Sequence, residues 1–142
     1  MEYAASAIEL FDKMQSLLKI KPQKSMIEAM QGEAFVLHYV SRRGGNVLPG
    51  EISQEMDVSS ARIAAALNSL EKKGLIIREI DRSDRRQILV AITQKGKNAA
   101  EDHYRTVLGI AGQMLELLGE DDAKDYVRIM KKLAEVLIDC EE

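Results

Sequence analysis

The chain has 142 residues, 46% of them hydrophobic and 4% aromatic, with no Trp and a net charge of −3. That length can bury an aliphatic core of Leu, Ile, Ala, Val and Met as one domain, and no apolar run approaches the ~20 residues that span a bilayer. The acidic start MEYAASAIELFDKMQ is unlike a signal peptide, and the lone Cys140 excludes an internal disulfide, so a cytoplasmic chain with no membrane partner is expected.

Ala4, Ala7, Ile8, Phe11, Met14, Leu17 and Leu18 recur at helical spacing and predict a first helix from Glu2 to about Lys19, ended by Lys21-Pro22. A second helix is expected within Ser25 to Ser41, with Gly32 a point where it divides, and Gly44-Gly45-Asn46 is a loop. Pro49 suits the first turn of a helix through Met56. Asp57-Val58-Ser59 is short enough for a helix-turn-helix joint, and Ser59 is a good N-cap for a helix over Ser60 to Lys73. Ile63, Ala66, Leu67 and Leu70 form its inward stripe, and Gly74 stops it in the left-handed region.

Leu75 to Ile80 and Gln87 to Ile92 read as strands, with Ile88, Val90 and Ile92 alternating as a half-buried strand does. The six residues between them, Asp81 to Arg86, are all polar. Thr93 caps a long helix over Gln94 to Leu118, with His103, Val107, Ile110, Met114 and Leu117 on one stripe. Gly109 and Gly112 inside it point to a bend or a close helix approach. Gly119 ends that helix, and Asp121 or Asp122 caps a last one bearing Tyr126, Val127, Met130, Leu133, Ala134 and Leu137. No repeat, low-complexity stretch or flexible linker interrupts the chain, which reads as one domain, mainly α with a small β-hairpin.

Charge is unevenly spread. Ser41 to Lys97 holds eleven Lys or Arg against seven Asp or Glu, a local balance of +4, which leaves −7 on the remainder. At physiological salt the local field counts for a phosphate.

The helix beginning at Ser60 has a bare outer face. Ser59, Ser60, Ala61, Ala64 and Ala65 would let its backbone approach base edges in a major groove. Ser59 and Ser60, at the helix start, suit phosphate contacts. Arg62 reaches either a phosphate or a guanine edge, and Asn68 pairs with adenine if it faces the groove floor. An ordinary Ala-rich amphipathic helix has the same pattern. The hairpin tip weighs against that reading: Arg82, Arg85 and Arg86 are too basic for packing, and guanidinium groups enter narrow minor grooves readily. Asp84 beside Arg86 suits a carboxylate that orients the arginine.

The run from Gly32 through Gly96 resembles the MarR family of transcriptional regulators: PGEISQEMDVSSARIAAALNSLEKKGLI, then DRSDRRQILVAIT, then QKG opening the long helix. Asp84-Arg85-Arg86 followed by a strand and Thr93 is its most specific element. The resemblance implies a winged helix-turn-helix lobe at 32–97 flanked by N- and C-terminal dimerisation helices at 1–31 and 98–142. It implies a homodimeric, sequence-specific regulator of double-stranded DNA, a repressor relieved by a small ligand. In the family the Asp at this wing position positions the second following arginine, here Arg86, which enters the minor groove. Many relatives carry a long polar residue where this chain has Ala64 and Ala65, which implies less direct base readout.

The family's effectors, often small aromatic acids, bind between the dimerisation helices and the lobe. Candidates near such a crevice are His38, Tyr39, Arg42 and His103, although a lone His on an apolar stripe is more often a packing residue. Some relatives bind zinc, and Glu101, Asp102 and His103 invite comparison. With two His, one Cys and no H-x-x-x-H or C-x-x-C spacing, no metal site or cofactor is expected. Some relatives sense peroxide through a first-helix cysteine, and this first helix has none. The absence of a phosphate loop, of G-x-S-x-G and of a Cys/His pairing argues against an enzyme. Two competing readings stand beside the regulator: a winged-helix protein-interaction module without DNA binding, which the negative total favours, and a DNA binder with no effector.

Overall fold

In the computed structural model, which describes residues 2–141, the chain is seven helices and one β-hairpin. The helices are α1 (Ala4–Leu18), α2 (Lys21–Ala29), α3 (Gly32–Arg43), α4 (Pro49–Met56), α5 (Ser60–Lys72), α6 (Gln94–Leu118) and α7 (Glu120–Glu141), with β1 (Ile76–Ile80) and β2 (Ile88–Ile92) between α5 and α6. The molecule is mainly α with a small β-hairpin wing. By contact pattern it divides into two compact units, Met1–Val107 and Leu108–Glu142.

The first unit holds the core. Val36, Leu37 and Val40 of α3, Val47, Ile52 of α4, Ile63, Leu67 and Leu70 of α5, Ile76 of β1, Val90 of β2 and Ala100 of α6 are all buried. α3 and α5 each contribute residues three or four apart, as an amphipathic stripe requires. The hairpin pairs antiparallel, from Ile76 opposite Ile92 to Ile80 opposite Ile88. Val47 adds an isolated bridge to Val90, with hydrogen bonds of 3.0 Å and 2.8 Å in both directions. That bridge seals the edge of β2 nearest the loop after α3.

The strand after α5 is locked to the start of α6. The Thr93 hydroxyl donates to the carbonyls of Gly74 (2.7 Å) and Leu75 (3.0 Å) and accepts from the Gly96 N–H (2.9 Å). Thr93 is thus the expected cap, and it reaches across the chain as well. A Cβ on Gly96 would overlap the Leu75 carbonyl, so only glycine lets α6 start this close.

Several expectations shift. Pro22 does more than end α1: it sits in the first turn of α2, where its missing N–H costs nothing, and so α2 starts at Lys21 rather than Ser25. The segment up to Ser41 is two helices, divided at Gln31 and Gly32. β2 alternates imperfectly, because Val90 is fully buried while Ile88 lies beyond the core and is exposed. α6 continues as one helix through Gly109 and Gly112, and among the described residues nothing approaches within 4 Å of where their Cβ atoms would be. His103 is exposed rather than packed. The second unit contains the end of α6, Gly119 in a left-handed turn and α7. Asp121 and Asp122 lie within the first turn of α7, past the cap position at Gly119, and there they still face the positive end of the helix dipole.

Candidate nucleic-acid interface

The helix-turn-helix joint is built from short contacts. Asp57 takes a left-handed conformation (φ 51°), and the Ser53 hydroxyl donates to the Val58 carbonyl at 2.6 Å. Ser59 caps α5 by accepting the Arg62 N–H at 3.3 Å. Ile63, Leu67 and Leu70 are buried and Ala66 packs beside them, which turns the opposite face of α5 to solvent. Ser59, Ser60, Ala61, Arg62, Ala64, Ala65 and Asn68 are all exposed, so the small-residue face is bare. Among the described residues the Arg62 side chain has neither an ion pair nor a hydrogen bond.

Three contacts fix the far end of α5. Glu71 accepts the Arg78 backbone N–H (3.0 Å), its Nε (3.3 Å) and a terminal guanidinium N–H (3.0 Å), so the helix grips the first wing strand. The fork holds the Glu71 carboxyl below its ordinary pKa and raises that of Arg78. Lys73 reaches Glu33 of α3 at 2.7 Å, and that hydrogen bond depresses the Glu33 pKa. Lys95 of α6 donates to the Lys73 carbonyl at 3.0 Å.

The hairpin tip is folded by its own carboxylates. Asp81 accepts the Ser83 N–H (2.9 Å) and hydroxyl (2.7 Å), which lowers its pKa. Asp84 accepts the Arg86 N–H (3.1 Å) and Nε (3.2 Å). The Arg86 side chain stays 91% exposed, so Asp84 aims the guanidinium without covering it. The Gln87 N–H donates to the Asp84 carbonyl and the Asp81 N–H to the Gln87 carbonyl, which closes the turn. Arg82 and Arg85 are exposed and have no ion pair among the described residues.

The ligand candidates fare unequally. His38 and Arg42 line a cleft of about 390 Å³ with Ser41, Lys97, Glu101 and Tyr104. The His38 ring stacks on Tyr104, with centroids 5.2 Å apart and planes at 20°. Burial lowers the His38 pKa, and the nearby charges of Arg42 and His103 push the same way. Tyr39 is not in this cleft: it stacks on Phe35 at 6.4 Å with Arg43 over its ring. Nor does His103 line it. Lys97, Glu101 and Tyr104 were missed, although their i, i+4, i+7 spacing on one helix face was the available signal. A second cavity of about 410 Å³, lined by Met30, Phe35, Met56, Ile63 and Arg62 among others, lies behind α5. Among the described residues no cluster of His, Cys, Asp and Glu is placed to hold a metal, and no helix is long and apolar enough to cross a membrane.

The sequence model of the MarR family matches residues 30–87, from the end of α2 to the wing tip. An HTH-type transcriptional regulator of Bacillus subtilis, YwhA, is 30% identical over 101 residues, 71% of this chain and 72% of that one. The chain belongs to the MarR family of transcriptional regulators. Similarity to other proteins extends along most of the chain. The HTH-type transcriptional repressor MdtR of B. subtilis is 28% identical over 139 residues, covering 92% of this chain and 89% of MdtR. The crystal structure of YusO from B. subtilis superposes with a TM-score of 0.74 at 26% identity, covering 95% of this chain and 99% of YusO.

Proposed function

We propose that this MarR-family chain is a homodimeric, sequence-specific repressor acting on chromosomal DNA in the cytoplasm, released from its operator by a small ligand. The observation that carries the reading is the pairing of an exposed small-residue face on α5 with a hairpin tip holding three exposed arginines, both anchored on one lobe through Glu71 and Arg78. In this reading α5 enters a major groove, with Ser59, Ser60 and Ala61 against the backbone, Arg62 on a phosphate or guanine, and Ala65 and Asn68 along the floor. Arg82, Arg85 and Arg86 serve the adjacent minor groove, and Asp84 holds Arg86 in line. The resemblance to a relative named as a repressor across 92% of this chain supports repression.

Residues 32–97 then form the DNA-binding lobe, and 1–31 and 98–142 supply the dimer. The support is apolar surface: α1 and α7 bury no residue, and Ile8, Phe11, Met14, Tyr126, Leu133 and Leu137 remain half-exposed or more. A single chain leaves that surface in water, and a two-fold partner covers it. For the ligand, the cleft beside His38 supplies an aromatic stack from Tyr104 and cations from Arg42 and Lys97, which suits a small aromatic carboxylate.

Selection of random duplex DNA by the purified protein tests the proposal. The expected product is a pseudo-palindrome with half-sites about 10 bp apart, centre to centre. Failure to enrich any motif would hand the lobe to the protein-interaction reading.

A further inference from the structure

The hairpin carries an apolar pair that neither the core nor the arginine tip accounts for. Ile80 and Ile88 face each other at the last paired position before the tip, and 65% and 48% of their surfaces are exposed. Their shared face is the inner one. Ile76 opposite Ile92 and Arg78 opposite Val90 lie on the same side, and Ile76 and Val90 are fully buried. Strand side chains alternate between faces, so Ile80 and Ile88 prolong the core-facing side past the point where the core ends. On that face, between core and pair, Arg78 is drawn to Glu71 of α5. The bare isoleucines thus occupy the side of the hairpin that is tied to α5, next to Arg82, Arg85 and Arg86.

We propose that Ile80 and Ile88 are positioning residues for DNA: they pack against the deoxyribose edge of the groove that the wing enters and set how deeply Arg86 reaches. This rests on the DNA-binding reading above. Charge complementarity selects the occupant. A protein surface apolar enough to cover the pair would also have to accommodate three adjacent arginines. A groove rim offers apolar sugar carbons and phosphates within a few ångströms of each other. Sugar contacts fix register and carry no sequence information. They also release no counterions, which gives the pair a signature different from that of the arginines.

The test is the full-length I80T/I88T variant, because threonine keeps the β-branch that favours a strand while removing the apolar ends. Affinity for the duplex enriched from random sequence is measured by fluorescence anisotropy over a range of salt, beside wild type and R86A. The expected result is roughly tenfold weaker binding, with an unchanged log–log salt slope, melting temperature and sedimentation. R86A is expected to flatten the slope by about one per wing. Wild-type affinity in I80T/I88T overturns the inference while leaving the DNA reading intact. So does weaker binding accompanied by a lower melting temperature, which would make the pair a support for the hairpin. A changed oligomeric state without DNA would assign the pair to a contact between copies and overturn it too. If wild type binds no enriched duplex, the DNA reading fails and the positioning role fails with it.

Discussion

Asp84 and Arg86 are joined twice at the wing tip: one carboxylate oxygen of Asp84 accepts both the backbone N–H of Arg86, at 3.1 Å, and its Nε, at 3.2 Å. An ion pair this exposed adds little stability. Its effect is geometric, since it removes rotamers from an arginine that otherwise samples many.

That relationship makes opposite forecasts separable. If Asp84 were merely a negative charge near phosphates, Asp84→Ala would tighten binding. If it aims Arg86, the variant should bind its operator several-fold more weakly despite gaining positive charge, and Arg86→Ala should lose roughly tenfold or more, about 1.4 kcal/mol per tenfold. Titrating both variants against the same duplex decides between them.

Gly96→Ala should destabilise the lobe by about 1–3 kcal/mol, because the added methyl meets the Leu75 carbonyl backbone rather than a side chain that can turn away. Chemical denaturation measures this directly. By contrast, Gly109→Ala and Gly112→Ala point into open space within one chain and should be neutral or slightly stabilising in the monomer.

The elements set by local chemistry were legible in the sequence. Gly74 and Gly119 end helices in left-handed turns, Thr93 caps α6, and Pro49 opens α4, because each needs only its own backbone. Pro22 is half legible: its restriction on the preceding residue ends α1, and the same residue suits the first turn of the helix that follows. The Val47–Val90 bridge and the grip of Glu71 on Arg78 join residues whose adjacency the tertiary fold creates, and no periodicity announces them. In the site, the outer face of α5 followed from its inward stripe. The cleft beside His38 did not, because it takes residues from α3 and α6 together, and Tyr39 and His103 fall outside it.

Acid should weaken the lobe. Glu33 and Glu71 have folded pKa values below the ordinary 4.5, and Asp81 lies below 3.8, each chiefly through a side-chain hydrogen bond. A depressed carboxyl contributes stability that is fully present above its unfolded pKa and is lost as pH falls through the folded one. His38, also lowered, adds to the loss as pH falls through 6.5, because its charged form favours the unfolded chain. Thermal melts from about pH 7 to about pH 3 should therefore decline. Glu71→Gln should lose stability at neutral pH and show a shallower decline.

Leu133→Arg, on the exposed apolar face of α7, should turn a sedimenting dimer into a monomer and weaken operator binding with it. A dimer that persists would place the two-fold contact elsewhere.

The most direct test is an anisotropy titration of the purified protein, at two salt concentrations, against its enriched palindrome and a scrambled duplex of equal length. Tight binding to the palindrome is expected, at least roughly a thousandfold tighter than to the scrambled duplex, with steep weakening at higher salt. Equal affinity for both duplexes in the ~10⁻⁴–10⁻⁶ M range at physiological salt would contradict it.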